Sequence, residues 1–185
     1  MTPPKMVNGI DVDRLFNTID AIKKKPDIAK FSFRASNRWL EGTHNRASVQ
    51  GFYGGGQEDT SRTSPMVFDA DEPPILLGKN QGANPVEYLL VALSGCVTTS
   101  LIINAAAKGV KLDEVESSLE GDIDIRGMLK LDPNIRAGYQ QIRFKFKIKS
   151  DAPREQLEEL VRLAYEASPV YNSVFQGVPI KVELA

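Results

Sequence analysis

Cysteine and histidine are almost absent from this sequence, which contains one of each in 185 residues. A single cysteine cannot form a disulfide within the chain, so a secreted scaffold held together by disulfides is excluded. His44 and Cys96 alone are too few to make a zinc site. We therefore expect no metal, and the sequence indicates no other cofactor.

An excess of charge of either sign is also missing. Lysine and arginine total 23 and aspartate and glutamate total 24, which gives a net charge of −1. A general nucleic-acid-binding protein would carry a basic excess, so we expect no nucleic acid among its partners. Residues 1–16 contain neither the apolar stretch nor the small-residue cleavage site of a signal peptide. We therefore expect a cytoplasmic protein in a reducing environment.

Long apolar runs are limited to one, from Tyr88 to Ala107, which has no charged residue over 20 positions. This length is close to that of a membrane span. The run is interrupted by polar and small residues, and the segments on both sides alternate in the manner of soluble β-strands. We interpret it as the central helix of a soluble core and expect no membrane partner.

The rest of the chain alternates between helical and strand patterns. The spacing of Val12, Leu15, Phe16, Ile19 and Ile22 predicts an amphipathic helix that docks at the front of the chain. Three strands follow, then the long helix, two strands, one or two helices and a last strand. A flexible loop is expected over "GGGQEDTSRTS", a turn over "THN", and the last strand over "VPIKVEL". The pattern predicts an α+β fold with helices covering antiparallel sheets.

The long helix has clear signals at both ends. Asn84 is a good N-cap, Pro85 suits the first helical position, and Glu87 completes a capping box. Gly109 suits the C-terminal stop, so the helix should run from Pro85 to about Lys108.

Cys96 lies near the middle of this helix, where the macrodipole gives a thiolate little support. Gly95 removes a side chain next to the sulfur, which predicts that another helix or a substrate approaches closely there. On composition alone, a lone cysteine among alanine, leucine, valine and threonine is usually a small buried packing residue.

The stretch "NPVEYLLVALSGCVTTSL" resembles the cysteine helix of the OsmC/Ohr family, the osmotically inducible and organic hydroperoxide resistance proteins. The order of elements over residues 30–185 resembles that family too, and residues 1–29 resemble an N-terminal helical extension. The resemblance implies antiparallel sheets packed around a long central cysteine-bearing helix and a second helix, in an intertwined homodimer.

The resemblance also implies a thiol peroxidase. In that chemistry a first cysteine, here Cys96, reacts with a hydroperoxide to form a sulfenic acid, a second cysteine forms a disulfide with it, and an external thiol reduces the disulfide. An arginine of an early strand stabilises the thiolate. Arg46 matches this position, with Arg38 as the alternative, and His44 is a candidate polar contact in the cleft or a turn residue.

Two departures from the family pattern affect this expectation. The family places its second cysteine in a Cys-Pro dipeptide at the start of a late helix, where this chain has Ser168 and Pro169. A hydroxyl cannot form a disulfide, so either an external thiol acts directly on Cys96 or the protein is not a peroxidase. Many members carry a glutamate immediately after the proline of the cysteine helix, where this chain has Val86. Glu87 is nine residues before Cys96, about 180° around the helix, so we expect it to cap the helix.

Two functions follow from these expectations. The first is a thiol-dependent reductase of organic hydroperoxides, with Cys96 and Arg46 as catalytic residues and His44, Ser168 and Tyr171 in contact with the substrate. The second is a non-catalytic OsmC-like dimer that binds a hydrophobic small molecule near Ser168 and Pro169. Aromatic residues there, including Tyr165, Tyr171 and Phe175, could line such a pocket or pack in the core.

Overall fold

The protein is represented by a computed structural model, which describes residues 5–184. The chain forms two compact units. One comprises Asp13–Leu89, and the other comprises the described residues up to Val12 together with those from Leu90 onward. Helices and small antiparallel sheets make up the structure, so the predicted α+β class is confirmed.

The N-terminal segment of the chain forms a small hairpin and then a helix. Strands β1 (Met6–Val7) and β2 (Ile10–Asp11) are antiparallel and lead into α1 (Val12–Lys24). Asn8, in the hairpin turn, donates from Nδ2 to the carbonyl of Val110 at 2.9 Å. The apolar stripe of α1 stays largely open in this chain, because Phe16 and Ile19 are exposed. The predicted docking of this helix is therefore not seen within the chain.

The largest sheet of the 13–89 unit has three antiparallel strands in the order β3 (Ser36–Glu41), β4 (His44–Val49) and β7 (Met66–Ala70). Gly42, with φ of +57°, and the residue after it form the tight turn between β3 and β4. The prediction that His44 is a turn residue is wrong, because His44 is the first residue of β4 and pairs with Glu41. The turn is shorter than the predicted "THN" because His44, the second residue of that stretch, already pairs with β3.

A second hairpin replaces the flexible loop expected after β4. Strands β5 (Phe52–Gly54) and β6 (Gln57–Asp59) pair across Gly55 and Gly56, both at positive φ. A two-residue turn of this kind matches the twist of a hairpin, and glycine adopts it without strain. The glycines therefore build a hairpin turn, and the loop prediction is wrong for residues 54–59, whereas residues 60–64 have no regular secondary structure.

The alternating segment "AKFSFRASNRWLEG" predicts the first of the three strands, but β3 begins only at Ser36. Between residues 31 and 35 only Ser32 forms a bridge, with Tyr53. Phe31 and Phe33 instead stack with Phe52, with ring centroids 6.3 and 5.3 Å from it. The alternating side chains of this segment therefore belong to an aromatic cluster and not to the three-stranded sheet.

Asp71 fixes the loop that follows β7. Its side chain is almost completely buried and accepts four hydrogen bonds. Oδ1 accepts from Thr43 Oγ1 at 2.5 Å and from the backbone N–H of Glu72 at 2.9 Å, while Oδ2 accepts from the backbone N–H groups of Lys79 (2.9 Å) and Gln81 (3.0 Å). These bonds place the pKa of Asp71 well below its usual range, with the bond from Thr43 as the largest cause.

Helix α2 (Pro85–Ala107) ends one residue before the predicted position. Gly109 has φ of +71°, and the backbone N–H of Val110 donates to the carbonyl of Ala105 at 2.8 Å. This is a Schellman stop, which uses glycine as predicted. Among the described residues, this helix alone is long and apolar enough to cross a membrane by length and composition.

The 90–184 unit packs one long hairpin with helices. Strands β8 (Glu114–Ile123) and β9 (Tyr139–Lys149) are antiparallel, and their connector contains the short helix α3 (Ile125–Met128). Helix α4 (Arg154–Glu166) and helix α5 (Pro169–Gln176) follow. The core of this unit consists of α2, α4 and Val110, with the buried residues Leu93, Val97, Leu101, Ala105, Val110, Leu160 and Ala164.

The predicted last strand is not formed. Residues 177–184 have no regular secondary structure, and the alternating apolar residues of this segment are exposed, namely Val178, Ile180, Val182 and Leu184. A strand needs a neighbour for its backbone hydrogen bonds, and the described chain offers this segment none. The prediction is therefore wrong for the single chain, although the alternation itself is present.

Candidate functional site

Helix α2 begins with the predicted capping box. The backbone N–H of Val86 donates to Asn84 Oδ1 at 2.9 Å, and the backbone N–H of Asn84 donates to Glu87 Oε2 at 2.8 Å. The capping role of Glu87 is therefore confirmed, and its carboxylate is engaged at the start of the helix.

Cys96 lies on the side of α2 that faces a cleft. The thiol is half-buried, whereas Leu93 and Val97 on the neighbouring stripe are buried in the core. The cleft has a volume of about 470 Å³ and is open to solvent, and none of its lining side chains is charged. Its lining consists of Gly95, Cys96, Thr99, Ser100, Ile103, Asn104, Ala167 and Pro169. Cys96 is therefore accessible in this chain and is not a residue of its core.

The surface next to the sulfur is also open at Gly95. A Cβ added at Gly95 would meet no atom within 4 Å. The prediction that something approaches Gly95 closely is therefore not fulfilled by the described chain itself. A small residue here leaves the approach to Cys96 unobstructed.

Ser168 caps helix α5, as a serine directly before a proline at the first helical position predicts. Its side chain is completely buried, and its Oγ accepts a hydrogen bond from the backbone N–H of Tyr171 at 3.2 Å. Its neighbours Ala167 and Pro169 line the same cleft as Cys96. The start of α5 and the cysteine of α2 are thus brought together at one cleft.

Tyr171 belongs to a row of three aromatic rings beside this helix start. Its ring centroid is 5.2 Å from that of Tyr165 and 5.5 Å from that of Phe175. Tyr165 and Tyr171 are partly buried against the core, whereas Phe175 is exposed. Tyr171 is not among the residues that line the Cys96 cleft.

Arg46 and His44 both bind one carboxylate, that of Asp69 on β7. Arg46 donates from Nε to Asp69 Oδ1 at 2.9 Å and from Nη2 to Oδ2 at 3.0 Å, and His44 Nε2 lies 2.8 Å from Oδ1. The hydrogen bond from Arg46, followed by that from His44, holds the pKa of Asp69 below its usual range, and the same carboxylate raises the pKa of Arg46. The cluster is a bidentate ion pair with a third donor.

Arg38, the alternative arginine, lies on β3 directly opposite Arg46. Both side chains are exposed on the same face of the sheet, but Arg38 has no hydrogen-bond partner among residues 5–184. Arg38, Arg46 and His44 belong to the 13–89 unit, whereas Cys96 belongs to the other. That either arginine acts on Cys96 stays a prediction.

The sequence does not single out Asp69. It is one of several acidic residues in "FDADE", and its role depends on the register that pairs it with Arg46. Within the part of the chain that the structure describes, no group of three or more histidine, cysteine, aspartate or glutamate side chains could hold a metal ion.

Comparison with models of protein families identifies the family of this chain. A family model described as OsmC-like protein matches residues 78–183, which is more than half of the sequence. This chain belongs to the OsmC-like family. The matched OsmC-like region includes both Cys96 and Ser168. No curated protein matches the chain.

Solved structures show the same OsmC-like fold. An OsmC-like protein from Mycoplasma pneumoniae is 17% identical, with a TM-score of 0.60 over 80% of this chain and 89% of its own. An organic hydroperoxide resistance protein from Legionella pneumophila is also 17% identical, with a TM-score of 0.54 over 77% of this chain and 88% of its own. One from Elizabethkingia anophelis is 16% identical, with a TM-score of 0.55 over 77% and 87%.

Proposed function

We propose that this OsmC-like protein is a thiol-dependent reductase of organic hydroperoxides, with Cys96 as its only redox-active residue. The observation that carries the proposal is the open cleft that Cys96 shares with the start of helix α5. The fold shared with proteins named for organic hydroperoxide resistance supports the same chemistry. A half-buried, accessible thiol in an uncharged cleft suits a substrate with an apolar body and one reactive end.

The reaction uses one protein sulfur and two external thiols. The Cys96 thiolate attacks one oxygen of the peroxide, the O–O bond breaks, and the alcohol leaves after taking up a proton. Cys96 becomes a sulfenic acid. A first external thiol attacks this sulfur, water leaves, and a mixed disulfide forms. A second external thiol then attacks the outer sulfur of the mixed disulfide, the external disulfide leaves, and the Cys96 thiol is restored.

Arg46 is the residue that we propose for stabilising the Cys96 thiolate and the attacked peroxide oxygen. Its guanidinium stays charged and can donate two hydrogen bonds in one plane. His44 and Tyr171 are proposed as substrate contacts. The side chain of Ser168 is completely buried in this chain, so the contact predicted for it is not available here.

We also propose that the protein acts as a homodimer. The chain exposes 13530 Å² of surface. A folded monomer of 20.4 kDa should expose about 8,800 Å², and two separate folded units of these sizes together about 10,600 Å². Helices α1 and α2 and residues 178–184 all expose large hydrophobic side chains. A second copy of the chain would cover this surface.

Trapping of the sulfenic acid tests the proposed reaction. After treatment with cumene hydroperoxide and then dimedone, mass spectrometry should find one adduct, at Cys96. The Cys96→Ser variant has no thiol and supplies the control. An intact, reduced protein that yields no adduct at Cys96 would rule the reaction out.

Binding of a hydrophobic small molecule without catalysis is the second candidate. The uncharged lining of the cleft and the exposed ring of Phe175 next to Tyr171 favour it. In this case Cys96→Ser should leave the binding of a fluorescent apolar dye and the melting temperature unchanged. Loss of dye binding in a folded Cys96→Ser protein would remove the support for this function.

A further inference from the structure

The hairpin of β1 and β2 turns on the only Asn-Gly dipeptide in the sequence, at positions 8 and 9. Val7 pairs with Ile10, so the turn has two residues, and both have positive φ, +52° at Asn8 and +78° at Gly9. A turn of this kind matches the twist of the strands and favours asparagine followed by glycine. The backbone conformation therefore accounts for the presence of this dipeptide.

The side-chain amide of Asn8 is bound through both of its polar atoms to a segment far along the chain. Nδ2 donates to the carbonyl of Val110 at 2.9 Å, and Oδ1 accepts from the backbone N–H of Leu112 at 2.9 Å. This pair of bonds needs one donor and one acceptor, which an amide has and a carboxylate lacks. The contact is therefore specific for the amide form of residue 8.

The hairpin has a second anchor in Val12, whose side chain is almost completely buried. The backbone N–H of Val12 also donates to the carbonyl of Lys5 at 3.0 Å. The residue that receives the Asn8 amide, Val110, is itself buried and closes the C-terminal stop of α2 through its N–H. The hairpin and residues 110–112 belong to the same compact unit, so the hairpin docks at the end of the cysteine helix.

An Asn-Gly dipeptide can also react with itself, because glycine has no Cβ to shield its backbone nitrogen. The Gly9 nitrogen loses its proton and bonds to Cγ of Asn8, the Cγ–Nδ2 bond breaks, and ammonia leaves. Water then opens the cyclic succinimide to give aspartate or isoaspartate. Gly9 is exposed, and a Cβ built on it would meet no atom within 4 Å, so water and base reach this turn.

We propose that Asn8 is a deamidation site whose reaction is controlled by the docking of the hairpin. While both polar atoms of the amide are bound to residues 110 and 112, Cγ cannot turn towards the Gly9 nitrogen. Release of the hairpin frees the amide and permits the reaction.

The products cannot restore the docked state. An aspartate has no donor for the Val110 carbonyl and places a second acceptor against it. An isoaspartate adds a carbon atom to the backbone of a two-residue turn, which changes the register of the hairpin. Deamidation therefore makes a transient release of the hairpin permanent, whatever reaction occurs at Cys96.

Peptide mass spectrometry of the unaltered full-length protein tests the proposal directly. Deamidation at Asn8 should be at least about 10-fold slower in the folded protein at neutral pH than in urea, because two hydrogen bonds must break before the amide is free. Equal rates in the two conditions, or no deamidation in urea, would overturn the proposal. This comparison needs no variant.

Two variants of the hairpin test whether docking controls the rate. Val12→Ala removes two buried methyl groups and should raise the rate in the folded protein about 10-fold, whereas Met6→Ala, at an exposed position of the same hairpin, should leave it unchanged. If Val12→Ala does not fold, Ile10→Ala, at a half-buried position, replaces it. An unchanged rate in the folded anchor variant would contradict control by docking.

Hydrogen exchange separates release of the hairpin from unfolding of the unit. In the anchor variant the N–H of Leu112, which binds Asn8, should exchange about 10-fold faster. The N–H of Val110, which binds the carbonyl of Ala105, should stay protected. Asn8→Asp, which reproduces one product, should show faster exchange over residues 5–12. Equal acceleration at Leu112 and Val110, or unchanged exchange in Asn8→Asp, would overturn the proposal.

Discussion

Ser168 has a structural role as the cap of helix α5, but its hydroxyl cannot form a disulfide. Its Oγ caps α5 from a fully buried position, and its neighbours line the cleft of Cys96. A thiol at this position would lie at the start of the same helix. Under the proposed function, the reduction of an oxidised Cys96 would depend on which side chain occupies this cap.

The substitution Ser168→Cys should convert the protein to internal disulfide chemistry. On treatment with one equivalent of cumene hydroperoxide, we expect both thiols to disappear and a disulfide between positions 96 and 168 to form, because the new thiol can attack the sulfenic acid. Peptide mapping and a thiol count measure the outcome.

The double variant that also carries Cys96→Ser is the control and should keep its single thiol. Persistence of a dimedone adduct at Cys96 in Ser168→Cys, with the new thiol still free, would contradict the prediction.

Residues with a local signal were predictable from the sequence, and residues defined by pairing were not. The caps formed by Asn84 and Ser168 follow from short-range patterns, and the structure confirms both. Asp69 acquires its partners only through the register of β4 and β7, which no local pattern specifies. For the same reason, His44 was expected in a turn and lies in a strand.

At the scale of elements, the loop after β7 depends on one buried carboxylate. The four hydrogen bonds to Asp71 join the β3–β4 turn, through Thr43, to the backbone of Lys79 and Gln81. An amide in place of the carboxylate would present an N–H₂ group to two of these donors and leave buried N–H groups without acceptors. The conformation of this loop therefore rests on the charge of Asp71.

Asp71→Asn should lower the melting temperature of the protein by about 5 °C or more. The pKa of Asp71 is lower in the folded protein than in the unfolded chain, so its contribution to stability is fully present above about pH 4 and is lost as the pH falls further.

The variant should therefore show a weaker loss of stability in acid than the unaltered protein, measured by thermal melts at decreasing pH. Asp20→Asn, at an exposed aspartate of α1, is the matched control and should leave both the melting temperature and its pH dependence nearly unchanged. If the melting temperatures of Asp71→Asn and the unaltered protein fall equally as the pH is lowered, the stabilising role of the Asp71 charge is contradicted.

The sequence predicts some helices and strands accurately and others wrongly. Helix α2 was placed to within one residue because its cap, its first proline and its terminal glycine all agree. The segment at residues 178–184 carries an equally clear strand pattern but forms no strand in the chain. A helix satisfies its own backbone, whereas a strand depends on a neighbour that the segment's own sequence does not identify.

At the scale of the whole molecule, the chain exposes large apolar side chains on α1, on α2 and over residues 178–184, and this exposure supports the proposed dimer. Val91 on α2 is 61% exposed and Phe16 on α1 is 47% exposed, although both have the spacing of packing residues. Exposed patches of this kind in a soluble protein mark an interface. A stable dimer would also supply residues 178–184 with a neighbouring strand.

Light scattering after size-exclusion chromatography should give about twice the chain mass of 20.4 kDa. Val91→Asp places a charge on the exposed apolar face of α2 and should shift the protein towards the monomer and lower its melting temperature. Asn17→Asp introduces the same charge at an exposed polar position of α1 and should remain dimeric. A monodisperse monomer at micromolar concentration in the unaltered protein would contradict the dimer.

The cap at Ser168 has an evolutionary consequence. A serine oxygen accepts the hydrogen bond from the backbone of Tyr171 at least as well as a sulfur would, so exchange between serine and cysteine at this position leaves helix α5 in place. Under the proposed function, a single codon change at this position would switch the reduction of Cys96 between an internal disulfide and an external thiol while helix α5 stays in place.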